Sequence, residues 1–228
     1  MPGHPFPNDK EKAGPAIEER LPDGFVMLAW LLPDAVTDMR YAGSCNFMGT
    51  PVEGYEAPAA ILTLEAAAAL KKADDRLKAR GFRIKVLDAY RPRRAVKHFL
   101  RWSQDLQDTA TKMQYYPELE KSRLIAEHYI APNSSHSRGS TVDGTLFDCS
   151  LNCDADMGSP FDFFSECAHA AYTATLSPAQ IAHRRLLRRT MLDYGFLPLE
   201  TEWWHFSLAD EPFPETVFDF PVKVYPEK

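Results

Sequence analysis

The chain has 228 residues, a formal net charge of −6 and an apolar fraction of 45%, which suits one medium-sized domain with a real core and excludes a disordered chain. Lysine and arginine alternate with aspartate and glutamate and form no basic block, so neither DNA nor RNA is expected as a partner. The longest apolar run, 25–32, is too short to cross a bilayer, and no membrane partner is expected.

In chain order, residues 1–22 are polar and proline-rich and read as a flexible arm ahead of a single domain over 23–228. The start lacks the basic, apolar and small-residue succession of a secretory leader. A cytoplasmic location is therefore expected, or a periplasmic one if a leader was removed before this numbering. The run 25–32 reads as a buried strand. Thr63 is a good N-cap with Glu65 in the first turn, Leu70, Ala73 and Leu77 share one face, and Gly81 is a natural stop, so a helix is predicted between Thr63 and Gly81. The two-residue alternation of Phe82, Ile84, Val86 and Asp88 predicts a strand. It runs into Tyr90-Arg91-Pro92, which places Arg91 at a strand-to-helix junction before a helix over 92–102. Helix periodicity suggests about three turns over 117–128.

Thr141 to Asp148 reads as another strand. Ser177-Pro178 opens a long helix with Leu187, Met191 and Tyr194 on one face and Gly195 as its stop. A last strand is expected near Glu202 to Leu208, and the proline-rich C-terminal stretch is expected to wrap the surface. Strands and helices without a regular βα alternation predict an α+β fold, a central mainly antiparallel sheet flanked by helices. None of Cys45, Cys149, Cys153 and Cys167 forms a Cys-x-x-Cys pair, so a cysteine zinc site is not expected. Cys149 and Cys153 suit a bridge across a turn in an oxidising compartment, while free thiols are the plainer reading.

Two segments carry chemistry. In Ser134-Ser135-His136-Ser137-Arg138-Gly139-Ser140-Thr141-Val142-Asp143 a loop histidine precedes an aspartate at a strand start, with Gly139 allowing a sharp turn between them. In Glu202-Trp203-Trp204-His205 a glutamate and a histidine lie three apart. Catalytic zinc takes three ligands from histidine and carboxylate and keeps a fourth position open. His136, Asp143 and His205 supply that set, and Glu202 is left over to take a proton from water. A lone histidine is more often structural, and His98, His128, His169 and His183 are read so. Two histidines and a carboxylate also serve non-haem iron oxygenases, which commonly leave one residue between the first histidine and the acid. This chain leaves six.

The pattern Ser-x-His-x-x-Gly-x-x-Val-Asp followed downstream by Glu-Trp-Trp-His resembles the VanX-type D-alanyl-D-alanine dipeptidases, a group of zinc D,D-peptidases. Asp88-Ala89-Tyr90-Arg91-Pro92-Arg93-Arg94, Met157-Gly158-Ser159-x-Phe161-Asp162-Phe163 and Phe218-Asp219-Phe220-Pro221-Val222-Lys223 extend the resemblance over about 24–223. It implies hydrolysis of the D-alanyl-D-alanine dipeptide to two D-alanines, in peptidoglycan precursor metabolism or vancomycin resistance. One zinc is implied per chain, on His136, Asp143 and His205, with Glu202 as base and Arg91 steadying the scissile carbonyl. Asp162 would hold the substrate's amino group, and Ser135, Tyr41 and Tyr55 fall in segments lining the small pocket; Arg138 is expected to be structural. The alternatives are a D,D-carboxypeptidase acting on longer muropeptides and a zinc-holding binding module without turnover. A small dipeptide is the expected partner. Thr141 and Gly144 depart from the family pattern, adding a polar branched group and loosening the strand that carries Asp143.

Overall fold

A computed structural model describes residues 20–227, so most of the expected N-terminal arm lies outside the described residues. Leu21 is already packed in the core. The elements run β1 (Phe25–Met27), α1 (Leu28–Leu31), β2 (Val36–Thr37), β3 (Ile61–Thr63), α2 (Leu64–Lys78), β4 (Phe82–Asp88), α3 (Arg93–Gln104), α4 (Lys112–Tyr115), β5 (Thr141–Asp148), β6 (Cys153–Asp154), α5 (Pro178–Asp193), β7 (Phe196–Leu199) and β8 (Glu202–Leu208), with short 3-10 turns between. The central sheet has the order β2-β4-β5-β8-β7, with β6 beside the far end of β5. Every pairing in it is antiparallel except β2 with β4. A separate antiparallel pair joins β1 and β3. This is the α+β architecture expected from the pattern of elements.

Local chemistry explains the two long helices. The Thr63 hydroxyl accepts from Ala66 N at the start of α2, whose buried Leu70, Ala73 and Leu77 face inward. The wholly buried Asp74 ties that helix to β4, accepting from Arg83 Nε and from Ile84 N at 2.8 Å. A buried carboxylate is tolerated only with such partners. At the start of α5, Ser177 and Gln180 form a reciprocal capping box with Pro178 in the first turn, and Leu187 and Met191 face the core.

Four expectations need correction. The apolar run 25–32 is split between β1 and the single turn of α1: Leu28 N still bonds Ala60 O in register with β3, and Leu32 N then closes the turn on Leu28 O. Residues 117–128 form no three-turn helix: they hold one 3-10 turn, Lys121–Arg123, and a chain of reverse turns ending at His128 with φ 63. Only Lys121 and Leu124 of the stretch are buried, so no continuous apolar stripe draws it into a helix. The C-terminal stretch does more than wrap the surface. Phe218 and Phe220 meet Phe25 edge-on at 4.9 and 5.0 Å, and Phe220 stacks on Tyr90 at 4.0 Å. Pro92 caps α3 and is not its first helical residue. All four cysteines are free thiols in this structure.

Candidate active site

Three neighbouring strands put Asp88, Asp143 and His205 in one row. Asp143 on β5 pairs with Asp88 on β4 and with His205 on β8, and directly opposed residues on antiparallel strands share a face. The row depends on a bulge: Leu87 is an extra residue on β4, which brings Asp88 opposite Asp143. A second irregularity serves β8. Residues three apart on a regular strand face opposite sides, yet Glu202 and His205 both line the same cavity. They do so because Leu199 pairs with Glu202 while its neighbour Pro198 pairs with Phe206, so the chain between the two is displaced from regular pairing.

His136 arrives from a 3-10 turn, Ser135–Arg138, which Gly139 closes at φ 86. A Cβ at Gly139 would sit 2.2 Å from the Phe25 ring, so the turn needs both the glycine's dihedral freedom and its missing side chain. His136 Nδ1 lies 2.7 Å from Ala89 O. A carbonyl only accepts, so Nδ1 carries the proton and Nε2 presents a lone pair. That Nε2 lies 3.2 Å from His205 Nδ1 and 3.3 Å from Asp143 Oδ1, and His205 Nδ1 lies 3.1 Å from the same oxygen. His205 Nε2 points to Ser135 Oγ at 3.3 Å.

These distances fit a metal ion. Asp143 Oδ1 is buried and has no hydrogen-bond partner among the described residues, despite two imidazole nitrogens beside it. The lone pair of His136 Nε2, a carboxylate oxygen and the facing His205 Nδ1, which offers a lone pair when neutral, suit a cation between them. With zinc bonds of about 2.0–2.2 Å, two ligand atoms on a tetrahedron lie roughly 3.3–3.6 Å apart, close to the spacing seen. Among the described residues, His136, Asp143 and His205 are the one group of three or more such side chains so arranged.

The rest of the cavity surrounds that triad. It holds about 190 Å3 and is lined by Arg91, Ser135, Asp162, Glu202 and Tyr41 among others, small beside the roughly 300–1,000 Å3 of pockets for drug-sized ligands. Arg91 is locked from behind, with Nε 2.9 Å and Nη2 2.8 Å from Asp88 Oδ2. Its guanidinium lies over the Tyr41 and Phe99 rings at 5.0 and 5.1 Å, and Nη2 reaches to 3.5 Å from Asp143 Oδ2. Glu202 Oε2 stands 3.6 Å from His205 Nδ1. Burial pushes the Glu202 carboxyl above its ordinary range, with the His205 charge opposing. Asp162 is raised further, by burial first and then by the nearby Asp143 charge; among the described residues its side chain accepts a hydrogen bond from the Tyr41 hydroxyl at 2.8 Å.

Tyr55 does not line the cavity. Its hydroxyl donates to Asp88 Oδ1 at 2.7 Å, and the ring is buried behind Arg91's partner. Asp88 itself was missed as a site residue, although its i, i+3 spacing to Arg91 was a readable signal. His128, read as structural, is exposed and lies on the cavity wall with Tyr129 and Ile130. Arg138 is structural: Nε donates to both Glu211 oxygens at 2.9 Å. Thr141 is buried, its hydroxyl 2.8 Å from Ser207 Oγ. Gly144 pairs fully with Val86, and a Cβ there would crowd Ile84 at 3.2 Å, so it tightens the strand contact beside the bulge and does not loosen it.

A family model described as D-ala-D-ala dipeptidase matches residues 22–223. A D-alanyl-D-alanine dipeptidase of Enterococcus faecalis is 43% identical over 201 residues, 88% of this chain and 98% of that protein. One from Enterococcus faecium is 40% identical over 88% of this chain and 98% of its own length. One from Streptomyces coelicolor is 42% identical, covering 81% and 91%.

Proposed function

Because the chain belongs to the D-alanyl-D-alanine dipeptidase family, we propose that it is a zinc-dependent hydrolase of the D-alanyl-D-alanine dipeptide, with a part in cell-wall precursor metabolism. The observation that carries the reading is the set of three donor atoms within 3.1–3.3 Å of one another, flanked inside one cavity by Glu202 and Arg91. His136, Asp143 and His205 would hold the ion. Bound there, zinc supplies Lewis acidity, bringing the pKa of a coordinated water toward ~7 and polarising a carbonyl.

The chain's own groups do the rest. Glu202, on the cavity wall 3.6 Å from His205, takes the proton from the attacking water and returns it to the departing amine, as a general base held within reach of the reacting water does. Arg91 holds its guanidinium fixed by Asp88 and donates to the scissile carbonyl oxygen as negative charge grows on it. Such a preset cation is worth several kcal/mol in a dry site. Asp162, buried on the cavity wall, takes the substrate's ammonium group. Tyr41 steers that carboxylate through its hydroxyl, and Ser135 presents a hydroxyl to the substrate's polar end.

The small cavity favours a dipeptide over a longer muropeptide. The test is D-alanine release from D-alanyl-D-alanine, from L-alanyl-L-alanine and from a pentapeptide ending in D-alanyl-D-alanine. Cleavage of the D,D-dipeptide alone supports the reading; cleavage of the pentapeptide alone moves the chain to the carboxypeptidases, and no cleavage at all makes it a binding module.

A further inference from the structure

Arg184, on α5, is a buried cation outside the cavity, only 6% exposed. No carboxylate among the described residues pairs with its guanidinium. It donates instead from Nε to Met157 O at 2.6 Å, from Nη1 to His169 O at 3.1 Å, and from Nη2 to Cys167 O at 2.9 Å and Ser159 Oγ at 3.2 Å. Burying a charge without a counter-charge is costly, and burial pushes this guanidinium below its usual pKa. What the charge holds is one loop.

The four acceptors sit at 157, 159, 167 and 169, so a single planar fork closes the segment 157–169 at both ends. The segment has one 3-10 turn, Glu166–Ala168, as its regular structure. It carries Asp162 at φ 59, a conformation uncommon outside glycine that persists where the surroundings over-determine it. Other holds converge on the same loop. Trp203 Nε1 donates to Ser159 Oγ at 2.9 Å, Phe161 meets Trp204 edge-on at 5.3 Å, and Phe164 N bonds Tyr115 O at 2.8 Å. Of these holds, Arg184 is the one that reaches both ends.

We propose that Arg184 is a positioning residue for the substrate's ammonium group: by closing the 157–169 loop at both ends it holds Asp162 with its carboxylate in the cavity. The inference rests on the role proposed above for Asp162. It separates two properties that a general loss of stability would change together. Loosening the loop weakens ground-state and transition-state binding of the ammonium group alike, whereas Glu202, Arg91 and the metal ligands sit on other elements.

The experiment compares Arg184→Met, Arg184→Lys, Asp162→Asn and the Met/Asn double variant as zinc-loaded full chains. Arg184→Met is expected to raise KM for D-alanyl-D-alanine about tenfold or more while kcat stays within about threefold. In the Asp162→Asn background the same change should add less than about twofold to KM, because the residue it acts through is already disabled. Arg184→Lys keeps charge but loses the fork, so it falls between parent and Met, and it carries the same tests if the Met variant fails to fold. Amide hydrogen exchange over 158–166 should speed in both variants while β8 and the zinc stoichiometry match the parent. Unchanged KM, full multiplication of the two effects, or unchanged exchange overturns the proposal. Exchange reads the loop whatever the substrate. A parent that releases no D-alanine overturns the reaction, while faster exchange in its variants still upholds the clamp.

Discussion

Replacing Asp88 by asparagine perturbs Arg91 without placing any new atom in the cavity. The buried Asp88 receives Arg91 Nε and Nη2 on one oxygen and the Tyr55 hydroxyl on the other. Asparagine has the same shape and keeps one acceptor oxygen. With that oxygen toward Arg91, its amide nitrogen faces Tyr55, whose hydroxyl can rotate to accept. The two contacts to Arg91 survive as bonds from a cation to a neutral oxygen but lose the opposite charge, about 1–2 kcal/mol each. Only Asp143, at 3.5 Å, then remains as a carboxylate partner, and the guanidinium drifts toward a residue assigned to the metal. If about 2–3 kcal/mol of this appears in the transition state, kcat/KM falls roughly 30- to 150-fold. Steady-state kinetics on the dipeptide measure it, with chelator competition in parallel. Zinc stoichiometry should be kept, because His136 Nδ1 donates to Ala89 O at 2.7 Å, while Asp88 Oδ2 stands farther off at 3.6 Å. A variant within threefold of the parent would refute the claim that Asp88 aims Arg91.

Glu202→Gln should bind zinc as the parent does and lose about 10^2- to 10^4-fold in kcat, the usual worth of a general base; loss of zinc in metal analysis would instead make Glu202 a ligand. Gly139→Ala places a Cβ against Phe25 at φ 86 and should cost about 2–5 kcal/mol, combining left-handed strain with overpacking; denaturant unfolding measures it, and a loss below about 1 kcal/mol would contradict the packing described. Stripping the metal should lower the melting temperature, and adding zinc should restore it in a concentration-dependent way, since a ligand of the folded state stabilises by mass action. A melting temperature indifferent to zinc would count against the donor set.

Much of this molecule was legible before any coordinates. Regular periods and strong punctuation declared α2, α5, β4, β5 and β8: Thr63 and Ser177 as caps, Gly81 and Gly195 as stops. The donors were legible because a histidine among serines and a glycine, followed by an aspartate, is an odd sequence for a core. What stayed hidden depends on three-dimensional relations. The Leu87 bulge and the displaced chain of β8 bring Asp88, Asp143, His205 and Glu202 to one side, and no local pattern announces a register shift. The stretch 117–128 has helix-forming residues but is held by isolated long-range contacts, such as Lys121 Nζ on Asp108 O and over the Trp102 ring. β7 has a proline inside a four-residue strand at the sheet edge, where its missing donor costs nothing. No local pattern singles out Arg184 on α5, and only the loop folded onto it reveals its use.

The most direct test is a zinc titration of metal-free protein with D-alanine release from D-alanyl-D-alanine followed at each step. Activity should be absent without metal and rise linearly to a plateau at one zinc per chain, and His136→Ala should flatten the curve. Hydrolysis by the metal-free chain, or silence at every zinc level, would contradict the assignment of His136, Asp143 and His205 as the centre of this enzyme.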